Sequence, residues 1–186
     1  VRQLAQKGGE ATAVANNQVM ALVRTSVNQV ANAASQRAYE ANQDVTQRYR
    51  YVATLDGKTS AICRALDGRV FEYGKGPTPP QHFNCRSTTV PIINYEALGI
   101  EPPPEGRRKA TEGTVPGNLT YGQWLSRQSK ADQTKILGNS PRRAAYFRKL
   151  SNKMGPTEAM RRFVREDGSE VTLDYLRENY GNVRTQ

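Results

Sequence analysis

From Val19 to Val45 the apolar and small residues Val19, Leu22, Val23, Val27, Val30, Ala34, Ala38, Ala41 and Val45 recur at steps of three and four, the spacing of one face of an α-helix. A long helix is predicted there. Its buried face fades from Val and Leu into Ala after Val30, so it can approach a neighbour closely but gains less from burial per residue. The opposite face carries Asn17, Gln18, Asn28, Asn32, Gln36 and Gln43, polar with little charge, which suits a second, wetter contact as well as solvent. The period then changes. Tyr49-Arg50-Tyr51-Val52-Ala53-Thr54-Leu55 alternates β-branched and aromatic residues with polar ones before the turn Asp56-Gly57, and reads as a strand. Further strands fit Arg69–Tyr73, after the turn Asp67-Gly68, and Ser87–Ile93, where Pro91 requires an edge or a bulge. Gly74-Lys75-Gly76-Pro77-Thr78-Pro79-Pro80 between them is too rich in Gly and Pro for helix or sheet.

Residues 101–118, with Pro102-Pro103-Pro104 and Arg107-Arg108-Lys109, read as an extended linker to a helical tail. In the tail Thr120-Tyr121-Gly122-Gln123 matches a capping box. Trp124, Leu125, Ile136 and Leu137 give the helix that follows an apolar face, and Gly138 is placed to end it. Ser140-Pro141 starts another helix, Gly155-Pro156 a third, and Thr172-Leu173-Asp174 a fourth that stops at Gly181. The predicted fold is α+β: a long amino-terminal helix packed on a small, mainly antiparallel sheet, with a carboxy-terminal group of short helices. Its expected parts are a helical arm (1–46), the sheet and its loop (47–100), the Pro/Gly-rich linker (101–119) and a basic helical tail (120–186).

Composition narrows the partners. The hydrophobic share of 37% and mean hydropathy of -0.73 fall below ordinary globular values, so much of the 186-residue chain faces water or an assembly partner. Lys and Arg outnumber Asp and Glu by 27 to 17, a formal +10, which favours a polyanion or an acidic protein surface as neighbour. The charge concentrates in residues 127–166, where Arg142, Arg143, Arg148 and Lys149 are the candidate contacts to DNA or to an acidic face. No apolar run is long enough to span a bilayer, so no membrane partner is expected. The chain opens on Val1 rather than Met, and residues preceding it in the full protein are expected.

Chemistry converges on Leu55–Phe71 and Pro79–Ser87. Two cysteines and one histidine stand there as Cys63, His82 and Cys85, a ligand set suited to Zn²⁺ that needs a fourth group, with Asp56 or Asp67 eligible. The alternatives are two small core thiols or a facultative disulfide, with His82 bonded to loop backbone, and a Cys–His nucleophile, which lacks an evident orienting group. Asp56, Thr59 and Ser60 read as a turn whose side chains bond nearby N–H groups. Gly57-Lys58-Thr59 mimics the end of a P-loop without its upstream glycine, so no nucleotide site is supported. Arg64 and Arg86 fit structural bidentate pairs or phosphate contacts.

The Asp56, Thr59-Ser60 pair, Cys63, then Leu66-Asp67-Gly68, then a proline loop ending in His82-Phe83-Asn84-Cys85-Arg86 resembles the signature of the Mu F-like minor head proteins of bacteriophages. Thr120–Leu125 with Gln128 and Ile136-Leu137-Gly138 looks like the stretch that follows it, so the likeness runs over roughly residues 30–180. Ser87 departs from it, standing where relatives often carry another Cys. The resemblance implies a non-enzymatic morphogenetic protein of the virion, assembled in the host cytoplasm, with Asp56, Thr59, Ser60, Asp67, Gly68 and Arg86 as structural signature residues. Implied partners are portal and capsid proteins, in multiple copies of a symmetric assembly, and packaged double-stranded DNA during packaging or ejection. Rival readings are a small nuclease or transferase carried in the head, which one histidine makes thin, and a non-specific DNA-binding module.

Overall fold

The computed structural model describes residues 2–184, with side chains from Thr12 onward. The first element is a helix of 39 residues, α1 (Arg2–Glu40), which begins earlier and stops sooner than the apolar spacing predicts. Residues 41–45 turn instead, and Asn42 Nδ2 donates to the Ala38 carbonyl at 2.7 Å, the local side-chain bond that competes with a continuing helix.

The buried face of α1 is the reverse of the predicted one. Val19, Leu22, Val23, Val27 and Val30 are 57, 57, 47, 64 and 69% exposed, while Asn32 and Gln36 are buried. The reason lies in what the helix rests on. Asn28 Nδ2 and Asn32 Nδ2 donate to the Ser87 carbonyl at 3.1 and 3.5 Å, Gln36 Nε2 to Thr89 Oγ1 at 2.9 Å, and the Tyr39 hydroxyl to the Thr89 carbonyl at 3.1 Å. An edge strand presents backbone acceptors that must be paired when covered, and Val and Leu have nothing to pair them with.

That edge belongs to an antiparallel sheet of β1 (Thr46–Val52), β2 (Val70–Glu72) and β3 (Thr88–Ile93), in the order β2-β1-β3. Tyr49 stands opposite both Phe71 and Pro91. Pro91 therefore sits on an edge strand, where its missing N–H breaks no ladder. A short helix inside the signature, α2 (Ala61–Leu66), was not legible in the sequence, and α3 (Tyr95–Leu98) follows the sheet.

The stretch read as a bare linker contains a hairpin, β4 (Arg107–Ala110) with β5 (Gly113–Pro116). Its basic run looks solvated in sequence, but Arg108 turns inward onto Asp67 and joins the hairpin to the signature. Leu55 does not extend β1 either. It forms an isolated bridge with Ala110 and is buried among the tail residues.

The single helix expected from Tyr121 to Leu137 is two, α4 (Tyr121–Ser126) and α5 (Lys130–Ile136). Ser129 accepts from Asp132 N at 3.1 Å, so a second N-cap interrupts the run. The remaining tail helices are α6 (Pro141–Met154), α7 (Pro156–Arg161) and α8 (Leu173–Tyr180), capped by Ser140, Gly155 and Thr172 as their sequences require. Thr120 and Gln123 close the predicted capping box on α4. Trp124, Leu125, Phe147, Leu150, Met160, Phe163 and Leu176 form the main core with Leu55. A smaller cluster of Tyr51, Ala53, Cys63, Leu66 and Cys85 lies under the signature loop. The arrangement is α+β.

Candidate metal centre in the signature loop

Asp56 organises the turn after β1. Its Oδ1 accepts from Lys58 N at 2.9 Å, Thr59 N at 3.0 Å and Thr59 Oγ1 at 3.1 Å, the bonding expected of an Asp-initiated turn. Arg86 grips the same carboxylate from across the loop, Nη1 to Oδ2 at 2.6 Å and Nη2 to Oδ1 at 2.8 Å, so its planar fork is matched to both oxygens. Partial burial alone would raise the Asp56 carboxyl; the bonds and charge of Arg86 override it and hold the group below its ordinary value. Arg64 behaves otherwise. It donates to the carbonyls of Thr59 at 2.6 Å and Ile136 at 2.9 Å, tying the turn to α5 instead of clamping a carboxylate.

α2 begins just after this turn and carries Cys63 into the smaller core, and the Pro/Gly loop returns His82 and Cys85 to the same place. Cys63 Sγ lies 3.3 Å from His82 Nε2 and 3.8 Å from Cys85 Sγ, and the ligand atoms all fall within 4.8 Å of one another. A tetrahedral Zn²⁺ with bonds of about 2.3 Å to sulfur and 2.0–2.1 Å to nitrogen sets its ligands roughly 3.5–3.8 Å apart. The two Cys63 separations lie close to that spacing, and the third is within 4.8 Å. His82 Nδ1 lies 2.8 Å from the Phe83 carbonyl, which can only accept. A neutral ring therefore carries its proton on Nδ1 and turns the Nε2 lone pair toward the thiols, the usual outer bond of a metal-binding histidine.

The two thiols lie within hydrogen-bonding reach of each other. The bond between them and burial push Cys63 up, while the same bond draws Cys85 down. The Tyr51 hydroxyl lies 3.2 Å from Cys63 Sγ, and burial pushes it well up too, so it stays protonated. Ser87 borders both thiols.

Neither acid named as a fourth ligand joins the cluster. Asp56 is committed to Arg86 and its turn. Asp67 lies beneath the sheet, accepting from Ala53 N at 2.7 Å, Tyr121 N at 2.7 Å and the Arg108 guanidinium. Among the described residues no further His, Cys, Asp or Glu completes the set. A space of about 10 Å³ beside Cys63, His82, Arg86 and Ser87 is of the size that holds one water. A water or a hydroxyl would be the fourth ligand.

The basic tail residues are less free than their sequence implies. Arg143 donates to the Val171 carbonyl at 2.8 Å, pairs with Glu170 at 3.0 Å and stacks on Phe163. Arg148 donates to Gln133 Oε1 at 3.2 Å, and Lys149 to the Tyr180 and Asn182 carbonyls at 2.5 and 3.2 Å. Arg142 stays exposed, as do Arg127, Lys130, Lys135, Lys153, Arg162 and Arg165.

Among the described residues no helix is long and apolar enough to cross a membrane. No curated protein and no solved structure matches the chain. Residues 1–90 match the family described as Phage Mu protein F like protein. That span holds α1, β1, α2, β2 and the Cys63–His82–Cys85 cluster, and over it the chain is similar to the Mu F-like phage proteins.

Proposed function

We propose that the chain is a morphogenetic component of a tailed-phage head, meeting portal and capsid proteins on the capsid interior in multiple copies of a symmetric assembly. The observation that carries this reading is the family match over residues 1–90, which coincides with the helix, the sheet and the signature cluster. An enzymatic role fits the same residues poorly. The partner of His82 Nδ1 is a backbone carbonyl and the nearest acids are held by Arg86 and Arg108, so among the described residues no carboxylate backs the Cys63–His82 pair. Location in the particle tests the reading. Labelled chain should map inside the shell near the portal vertex, and heads made without it should be fewer or incomplete; chain on the outer surface overturns it.

Within this role Cys63, His82 and Cys85 form a structural Zn²⁺ site that clips the Pro/Gly loop to α2. The metal would add to the Arg86–Asp56 pair and the small apolar cluster that already join the loop to the rest of the signature. Purified protein should carry close to one equivalent of zinc, and Cys85→Ser should lose it together with stability. Fully folded, metal-free protein returns the cluster to plain thiol packing.

A second reading, binding of packaged DNA by the tail, is favoured by the exposed cations that remain after Arg143, Arg148 and Lys149 are assigned to internal bonds. It predicts binding to any duplex with a strong salt dependence.

A further inference from the structure

The turned-out face of α1 is an apolar seam that the rest of the described chain leaves uncovered. Met20, Val23, Val27, Val30 and Ala34 alternate steps of three and four along it, the seam spacing at which two helices interlock. Thr25, Asn32 and Tyr39 lie on the opposite side and are occupied by the body: Thr25 Oγ1 accepts from Asn84 N at 2.9 Å, and Asn32 and Tyr39 bond Ser87 and Thr89. The helix is thus held by its polar side with its apolar seam outward. A groove of about 740 Å³ runs beside the seam, lined by Val23, Arg24, Val27, Asn28, Lys58 and Arg86 among others.

Charge identifies the occupant. No lining residue of the groove is acidic, and among the described residues neither Arg24 nor Lys58 has an ion-pair partner. From Ala11 to Tyr39 the helix carries Arg24 and Arg37 and no Asp or Glu. Glu40 stands at the end of the helix, away from the groove, so a second copy packing groove to groove would set Arg24 and Lys58 of one copy against the same two cations of the other. We infer that the groove receives an amphipathic helix of another protein whose apolar stripe is flanked by Asp or Glu. Apolar contact supplies the attraction, and the acids facing Arg24 and Lys58 set the choice of partner and its orientation. The inference rests on the head-assembly reading in one respect, that the partner is another head protein; the groove's preference for acidic helices does not depend on it.

The test uses the full chain and two synthetic 21-residue helical peptides with the same Leu/Ile stripe, one flanked by Glu and the other by Lys, read by fluorescence anisotropy. The Glu peptide should bind at least about tenfold more tightly than the Lys peptide, as close opposite charges and like charges at one interface allow. Val23→Asn with Val27→Asn should abolish binding while leaving the circular dichroism spectrum and melting temperature unchanged, since both side chains are exposed. Arg24→Glu with Lys58→Glu should invert the preference. Equal affinity for both peptides, or none for either, overturns the proposal. So does concentration-dependent self-association in sedimentation that Val27→Asn abolishes, which gives the seam to a second copy. None of these failures touches location in the head, and a chain absent from heads that still selects the Glu peptide removes only the identity of the partner.

Discussion

Asp67, inside the Mu F-like span, and Arg108, in the hairpin beyond it, form a buried ion pair: Nη2 lies 2.7 Å from Oδ1, and the side chains are 0 and 9% exposed. The same guanidinium donates to the carbonyls of Ala53 and Leu119, and Asp67 also accepts from Tyr121 N. One carboxylate thus joins β1, the hairpin and the first tail helix. Asp67→Asn leaves Arg108 charged and unpaired in the interior, which costs about 3–5 kcal/mol. Urea denaturation should show that loss as a lower midpoint, and an unchanged midpoint would mean the tail does not depend on this junction.

Glycine substitutions separate backbone strain from crowding. Gly68 has φ +76°, and a Cβ there would stand 2.9 Å from Thr120 Cγ2. Gly99 has φ +65° with open space around it. Gly99→Ala should cost about 1 kcal/mol from the left-handed conformation alone, and Gly68→Val more. Gly122→Ala should be worse than Gly99→Ala for another reason: its Cβ would fall 2.1 Å from the Pro156 carbonyl oxygen, forcing α4 and α7 apart as overpacking does. Thermal melts of the variants give the order directly, and equal losses at all positions would contradict it.

Much of this fold was legible because local chemistry and tertiary demand agree. Ser140-Pro141, the Thr120–Gln123 box and Gly181 mark helix ends that depend on neighbours in the chain, and each stands where its pattern places it. The misreadings occur where a distant partner decides. Val19–Val30 has the period of a buried face, but the acceptors of Ser87 and Thr89 claim the Asn and Gln side instead. Arg108 sits in a run that reads as solvated, and only Asp67, far away in sequence, makes it an interior residue. The convergence of Cys63, His82 and Cys85 was readable from residue type and resemblance. The missing acidic ligand was not, because Asp56 and Asp67 are held by arginines the sequence does not assign.

Acid should loosen the signature turn before the rest of the sheet. The folded pKa of Asp56 lies below its ordinary value, so its contribution is present above the unfolded carboxyl pKa, near 3.9, and is lost as pH falls through the lower folded value. Amide exchange at Lys58 and Thr59, whose N–H groups donate to Asp56, should rise over that range. Arg86→Gln should move the rise to higher pH. A rise at the same pH in the variant would show that the turn holds Asp56 ionised without its arginine.

The tail offers the sharpest division between structural and external charge. Arg143 pairs with Glu170, bonds Val171 and covers Phe163, so Arg143→Gln should destabilise the chain by about 1.5–3 kcal/mol, the range for hydrogen bonds to charged groups. Arg142→Gln, at an exposed position, should stay within about 0.5 kcal/mol of the parent. A substitution set aimed at DNA must therefore spare Arg143, Arg148 and Lys149, and Arg162, which pairs with Glu158 at 2.9 Å, and use the exposed Lys135, Arg142, Lys153 and Arg165. With those four changed to Gln the fold should persist. If the tail meets DNA, affinity for arbitrary duplexes should fall alike for every sequence, and the slope of log affinity against log salt should flatten by about 0.9 for each phosphate no longer neutralised. If it meets an acidic face of another head protein, DNA affinity should barely change while incorporation into heads drops. No change in either measurement would make the exposed cations a solvated surface and leave the outward seam of α1 as the chain's remaining candidate for a docking face.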